Sequence, residues 1–507
     1  MALFCHCTIY GMNSTSLPVD NQTVVRDDSV CVSVVSVHHD TERRSSLMST
    51  SRLSTVQPTK QESRDAMARV LMLGSTLFFI IGGYWVVRSL KLVIFSELVG
   101  LDYLPTAKLF SLVVMLMVIF AYNYLVELVP HHYLFYILGT FYGSCFFTIA
   151  GLLAHPTIGL DNTDIGTHRL LGWIAFFCIE TYSSITIALF WSFVTTVYSF
   201  DGARKSYGYI VAGSQLGSIF GPVIVRNVRL FGGIPNVFAI GACCPVLSMV
   251  MIYYYMRKFG SSDAENREAT TGTSKKKSGV LEGLRLLLKY PYVAGIFIVS
   301  NLCEIAFVIM DYELLRLGKD SYPNKNDFTE FMGDFGIAVN ALSFFISVVG
   351  TTTIFKRFQL RSVLAFIPVL MFLDVMMIYY FQSLWVVYAG VVFFKSLLYA
   401  VNNPAKELLY SVTSPDVKFK AKSWIDAFGS RSMKAVGSCV TGPLVNNMNK
   451  LFAYGSIVSS GVCFILVVVG WTMGSHCEKY VKEHHIVGER KKIDDSLDIK
   501  REPFMSS

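Results

Sequence analysis

The sequence predicts an all-α membrane protein with about twelve transmembrane helices in two six-helix halves. Three observations lead there. The chain has 507 residues, 53% hydrophobic and only 16% charged, where a soluble protein carries roughly a quarter charged residues. Apolar runs recur along it, each of them long enough to cross a hydrocarbon core roughly 30 Å thick as a helix. A basic, polar stretch separates the sixth run from the seventh.

Residues 1–66 are polar and rich in Ser, Thr and Val, and read as a disordered cytoplasmic tail. They lack the short apolar core of a secretory signal, and Asp27, Asp28, Asp40 and Glu42 argue against a transit peptide. On a cytoplasmic tail the glycosylation patterns Asn13-Ser14-Thr15 and Asn21-Gln22-Thr23 are chance matches. Spans follow at 68–88, 105–127, 132–154, 171–198, 206–226 and 233–256, making a first bundle over 67–256. A basic cytoplasmic linker, 257–290, contains Lys275-Lys276-Lys277. Spans at 292–314, 331–354, 361–381, 384–401, 424–446 and 454–474 make the second bundle, 291–475, before a cytoplasmic C-terminal tail, 476–507.

Lys and Arg in short loops set the orientation. Arg204-Lys205, Arg257-Lys258, the Lys275 cluster, Lys356-Arg357-Arg361 and Lys418-Lys420-Lys422 fall on one side, which is therefore cytoplasmic together with both termini. The opposite loops hold Glu97-Asp102, Asp161-Asp164 and Asp320-Asp327, with Arg226, Arg229, Arg316 and Lys319 diluting the contrast. The net charge of +8 largely reflects the basic loops and does not imply nucleic-acid binding. Most of the eleven cysteines lie in apolar runs and read as small core residues. No Cys/His spacing suits zinc, Cys5-His6-Cys7 being too isolated, so neither a metal nor a cofactor is expected.

The halves echo each other. Lys205-Ser206-Tyr207, Gly217-Ser218 and Gly221-Pro222 in the fifth span match Lys422-Ser423-Trp424, Gly437-Ser438 and Gly442-Pro443 in the eleventh. Duplicated bundles place a substrate site at the midplane between the halves and rock around it.

Charge inside the spans points to that site. Lys91, Glu180, Glu304 and Lys434 lie within or at the mouth of apolar runs, where ionisable residues persist mainly when they line a pathway or pair across a bundle. Arg88 shares a helix face with Lys91. Glu180 continues into Ser183 and Ser184, and Asn301, Glu304 and Asp311 share a face of the seventh span. Asp426, Ser430, Lys434 and Ser438 recur every four residues in the eleventh, where Arg431 joins Lys434 at the next turn. An anion crossing the core needs fixed cations to replace lost water, and phosphates suit Lys and Arg. These residues favour a transporter of an organic, phosphorylated anion; the structural alternative is a set of buried ion pairs, and for Lys91 a side chain reaching to the interface.

One stretch is more specific. Asn402-Asn403-Pro404-Ala405-Lys406-Glu407-Leu408-Leu409-Tyr410, then Lys418-Phe419-Lys420-Ala421-Lys422-Ser423-Trp424-Ile425-Asp426, then Lys434 before Gly437-Ser438, resembles the ATP/ADP translocase (nucleotide transporter) family of plastids and obligate intracellular parasites. Phe331-Met332-Gly333-Asp334-Phe335 and Arg88-Ser89-Leu90-Lys91 extend the resemblance, which covers roughly residues 65–475. The family's flanking acids beside the first-span lysine are replaced by Ser89 and Leu92, and its Ile-Pro step by Tyr410-Ser411-Val412-Thr413.

The resemblance implies a fold similar to the major facilitator superfamily and essential residues at Lys91, Glu180, Glu304 and Lys434. It implies ATP and ADP as transported substrates in a lipid bilayer, with Arg88, Arg431 or Lys406 also neutralising phosphates and Tyr84 or Trp424 placed for base stacking. The expected activity is ATP-for-ADP exchange by alternating access, in a chain functional as a monomer. The expected location is the cell membrane of an intracellular parasite or an organelle envelope. No GxxxxGK[ST] loop is present, so nucleotide is cargo rather than fuel. Two alternatives stay open: a proton-coupled importer of nucleoside triphosphates, with Glu180 or Glu304 titrating, and a membrane-embedded transferase, for which Asp161-Asn162-Thr163-Asp164 is the nearest metal-like motif.

Overall fold

A computed structural model describes residues 60–197, 200–268, 282–414, 417, 421–483 and 485–488. The tail to residue 59 with its glycosylation patterns and Cys5-His6-Cys7, the Lys275 cluster, Lys418, Lys420 and everything beyond 488 lie outside the described residues.

The first half runs α1 (Lys60–Leu98), α2 (Leu104–Leu128), α3 (His131–Leu153), α4 (Leu170–Val197), α5 (Phe200–Arg226) and α6 (Ile234–Glu268). After a short α7 (Glu282–Lys289), the seventh span is α8 (Pro291–Asn301) and α9 (Cys303–Ser321), interrupted at Leu302. The eighth span is α10 (Lys325–Phe345), continued through a π turn at Ile346–Gly350 into α11 (Thr351–Arg357). Next come α12 (Leu360–Phe381) and α13 (Leu384–Leu397), the latter joined by a π turn at Leu398–Asn402 to α14 (Asn403–Leu409). The eleventh span is α15 (Lys422–Trp424), a π turn at Ile425–Gly429 and α16 (Ser430–Thr441); α17 (Met448–Lys482) is the last.

Local chemistry sets several ends. Pro291 opens α8 at a position whose N–H has no helical partner. The side chains of Asn324 and Asn447 accept from Asn326 N and Lys450 N, capping α10 and α17. Gln382, at φ 45°, stops α12 in the left-handed region.

Eleven of the described helical segments are long and apolar enough to cross a membrane. The remaining span, over 421–444, is helical as well, but Asp426, Arg431 and Lys434 make it too polar to qualify on composition. Helices α1 and α17 run well past the expected spans at 68–88 and 454–474, because a hydropathy reading sees only the hydrocarbon-length part of a helix that continues beyond it.

Within the first half α1 packs along α5 and α6, and α3 along α6; in the second half α12 lies on α17, and α9 on α16 and α17. The halves meet mainly where α5 contacts α10 and where α2 contacts α16. In span numbers these are five with eight and two with eleven, contacts that a pseudo-two-fold exchange of the halves interchanges. The sequence echo has a structural counterpart. A Cβ at Gly217 of α5 would lie 2.5 Å from Phe78 O on the first span, and one at Gly437 of α16 would lie 3.1 Å from Ile305 O on the seventh. Without a hydrophobic force between helices in lipid, this close backbone approach supplies the packing.

Candidate functional site

A cavity of about 140 Å³ lies between the halves, lined from the first by α1, α2 and α4 and from the second by α9, α10, α13 with its π turn, and α16. Arg88 and Lys91 enter from α1, Lys108 from α2 and Glu180 from α4; Glu304 and Asp311 come from α9, Lys395 from α13, and Arg431 and Lys434 from α16. Six formal cations face three carboxylates, leaving an excess of three positive charges.

The carboxylates hold the cations in place. Lys91 Nζ lies 2.5 Å from Glu180 Oε2, and Arg431 donates to Glu180 Oε1 at 3.4 Å and to the Ser184 hydroxyl. Glu180 and Arg431 belong to different halves, so this pair bridges them. Glu304 accepts from the Ser430 hydroxyl at 2.9 Å and has Lys434 Nζ 3.8 Å away. Asp311 pairs with Lys395 at 2.6 Å. Aromatic faces complete the cationic lining: Arg88 lies 4.9 Å from the Trp85 ring centroid and donates to the Tyr84 hydroxyl, Lys91 lies 4.6 Å from Phe176, and Lys395 5.4 Å from Phe335.

Of the residues expected from sequence, Lys91, Glu180, Glu304, Lys434, Arg88 and Arg431 come together in this cavity, and Lys406 does not. Lys406 is buried on α14 and donates to Ser300 O at 3.3 Å, near the Lys422–Glu407 pair. Lys406, Glu407 and Lys422 thus form a polar cluster beside two π turns, outside the cavity lining. The expected four-residue stripe in the eleventh span is broken, because the π turn at Ile425–Gly429 shifts the phase and leaves Asp426 off the cavity wall. In the seventh span the interruption at Leu302 separates Asn301 from Glu304; Asn301 donates to Phe297 O instead. Tyr84 lines the cavity, whereas Trp424 packs on Phe428 with centroids 4.5 Å apart.

Lys108 and Lys395 were not singled out from sequence. Each stands alone in an apolar run, at 105–127 and 384–401, and that isolation was the available signal.

On the face opposite the basic loops, seven ion pairs join the halves. Arg226 meets Glu330 at 3.1 Å and Asp334 at 2.6 Å; Arg229 meets Asp327, and Glu330 at 3.5 Å. Arg316 meets Asp102 at 3.1 Å, Lys319 meets Glu97, and Lys325 meets Asp161 at 2.9 Å. The four cations that diluted the loop-charge contrast all belong to this latch. A Cβ at Gly333 would lie 2.6 Å from Arg226 N, so the Phe331–Phe335 motif brings α10 onto α5 where the latch closes. Among the described residues, ion pairs at the basic face, such as Arg361–Glu478 and Lys422–Glu407, stay within one half.

A family model described as "TLC ATP/ADP transporter" matches residues 165–387. The chain is 22% identical over 465 residues to "ADP,ATP carrier protein 1, chloroplastic" of Arabidopsis thaliana, covering 80% of this chain and 72% of that protein. It is 23% identical over 433 residues to "ADP,ATP carrier protein 1" of Chlamydia muridarum, covering 74% of this chain and 81% of that one. Among solved structures, the nucleoside transporter NupG superposes with a TM-score of 0.53 at 14% identity, over 80% of this chain and 99% of that chain. A bacterial homologue of the iron transporter ferroportin superposes with a TM-score of 0.56 at 13% identity, over 81% and 99%. These likenesses are ones of fold.

Proposed function

We propose that the chain is a member of the TLC ATP/ADP transporter family, which its match over residues 165–387 and its carrier relatives support, and that it exchanges ATP for ADP by alternating access around the cavity between its halves. The observation that carries this reading is the cavity itself: an excess of three positive charges, shared by both halves and held by three carboxylates that a polyphosphate displaces. Arg88, Lys91, Lys108, Lys395, Arg431 and Lys434 receive the phosphates. Glu180, Glu304 and Asp311 hold those cations in the empty site, so that they are never left unpaired in a water-poor interior. When phosphate takes Arg431 and Lys91 from Glu180, the ion pair spanning the halves opens, and binding is coupled to rocking.

A cavity of about 140 Å³ falls below the roughly 300–1,000 Å³ usual for ligand pockets. Together with the latch, this describes a contracted site closed on the acidic-loop face. Opening at the basic face admits a whole nucleotide. The driving force is a gradient: exchanging a tetra-anion for a tri-anion moves one net charge, worth about 2.3 kcal/mol per 100 mV.

The cavity is complete within one chain, which supports a functional monomer and a transport rather than an enzymatic role. Loop charges support cytoplasmic termini and linker, and the relatives support the cell membrane of an intracellular parasite, with an organelle envelope as the second location. The test is uptake of labelled ATP by intact cells expressing the chain, competed with ADP, GTP and phosphate. Competition by ADP and not by phosphate is expected; uptake no greater than in control cells refutes the reading.

A further inference from the structure

Helix α9 carries acids on two faces. Asp311 enters the cavity and pairs with Lys395. Glu313, about 200° further around the helix, is 1% exposed in the second half, and its Oε1 has no hydrogen-bond partner. A Cβ at Gly455 of α17 would lie 3.5 Å from that oxygen. Asp374 on α12 leaves Oδ2 buried without a partner, and Gly390 of α13 leaves the space its carboxylate fills, since a Cβ there would lie 2.3 Å from Oδ1. Ser459, one turn along α17 from Gly455, is also 1% exposed, and its hydroxyl is unpartnered.

The titratable groups facing this pair are the two carboxyls themselves and the Cys463 thiol of α17. From α13 comes Gly390, while Lys395 of that helix is taken by Asp311 on the other face of α9. Arg431 and Lys434 of α16 pair with Glu180 and Glu304, and Glu330 and Asp334 of α10 pair with Arg226. Among the described residues no cation partners either carboxyl.

Carboxylates buried without a cation are untenable in such an interior, and a carboxyl so placed takes up a proton. The proton also supplies what the cluster lacks, an O–H donor among acceptor oxygens. We propose that Glu313 and Asp374 form a proton-binding site inside the second half, separate from the nucleotide cavity and holding at least one proton at neutral pH. Helix α9 links this site to transport, since it also bears Asp311 in the cavity and Arg316 and Lys319 in the latch. Movement of α9 as the latch opens changes the surroundings of Glu313, so proton release and uptake follow the transport cycle.

The test is infrared spectroscopy of the purified full-length chain in proteoliposomes at neutral pH, with the double variant Glu313→Gln and Asp374→Asn as its partner. The wild type should show the carbonyl band of a protonated carboxylic acid, and the double variant should lose it. Gln and Asn mimic the neutral pair, so the variant should melt no lower than wild type. A wild type without the band, a band unchanged in the variant, or a variant that melts well below wild type overturns the site. In the same vesicles a pH gradient should alter wild-type nucleotide flux and leave the variant's flux unaffected; equal responses overturn the link to transport. The infrared band does not depend on the cargo, so its absence leaves ATP/ADP exchange standing, and a failure of exchange leaves the band to be read.

Discussion

At residue scale the site consists of charges that are tolerable only together. Removing one member of such a pair leaves the other uncompensated in the cavity. Lys434→Ala and Glu304→Ala should therefore lower ATP uptake by about a hundredfold or more while the protein still reaches the membrane, as measured by labelled uptake normalised to membrane content. Normal transport by Lys434→Ala would show that the site is misplaced. Lys91→Arg should impair uptake too, since a planar guanidinium does not reproduce an ammonium 2.5 Å from Glu180. Lys395→Ala should lower the melting temperature by stranding Asp311, and adding Asp311→Asn should restore part of it; no recovery means the pair is not coupled. Seven of the cavity's charged residues were legible in sequence because they stood in apolar runs or shared helix faces with others that did. Lys108 escaped because a single lysine near a span end reads equally well as one that reaches the interface, and Lys395 because it stands alone in its span with no charged neighbour on its helix face. Lys406 was legible as unusual but not as remote from the cavity, since position along a helix does not say which way the side chain faces after a π turn.

At the scale of elements, glycines set the close approaches. Gly217→Leu would force a side chain where a Cβ already sits 2.5 Å from Phe78 O, so α1 and α5 must separate. The expected result is a melting temperature lowered by several degrees, from about 1–3 kcal/mol of overpacking; an unchanged melt would contradict the packing. Each of the eleven helices apolar enough to cross a membrane overlaps a run that hydropathy marked, because a hydrocarbon-length run is a continuous signal. Hydropathy did not reveal the interruption at Leu302 or the π turns at Ile346–Gly350, Leu398–Asn402 and Ile425–Gly429. These alter phase without altering composition, so only the backbone displays them. The eleventh span shows the limit from the other side: its charges weaken its apolar signal and are also what the cavity uses.

At the scale of the whole molecule, the state described is latched on one face. Six of the seven pairs have a solvent-exposed partner, Lys319–Glu97 being the exception, and such pairs contribute only about 0–1 kcal/mol each, a strength suited to repeated opening. Arg226→Glu, facing Glu330 and Asp334, should repel α10 and open the acidic-loop face. A cysteine at Ser111 in the cavity wall should then react faster with a membrane-impermeant thiol reagent added from that face; an unchanged rate would show that the latch does not gate it. The arrangement of halves was readable from the fifth- and eleventh-span echo, but the latch was not. Its acids and bases lie far apart in sequence, and four of its cations looked like noise in the loop-charge pattern.

In the exchange reading, one cationic cavity built by both halves carries nucleotide in both directions. Counterflow in proteoliposomes tests it most directly: labelled ATP uptake is compared between vesicles preloaded with ADP and empty ones, for wild type and for the Lys91→Ala, Lys434→Ala double variant. Preloading should accelerate wild-type uptake severalfold and leave the double variant at background. Uptake indifferent to internal ADP, or a double variant that exchanges as wild type does, would contradict it.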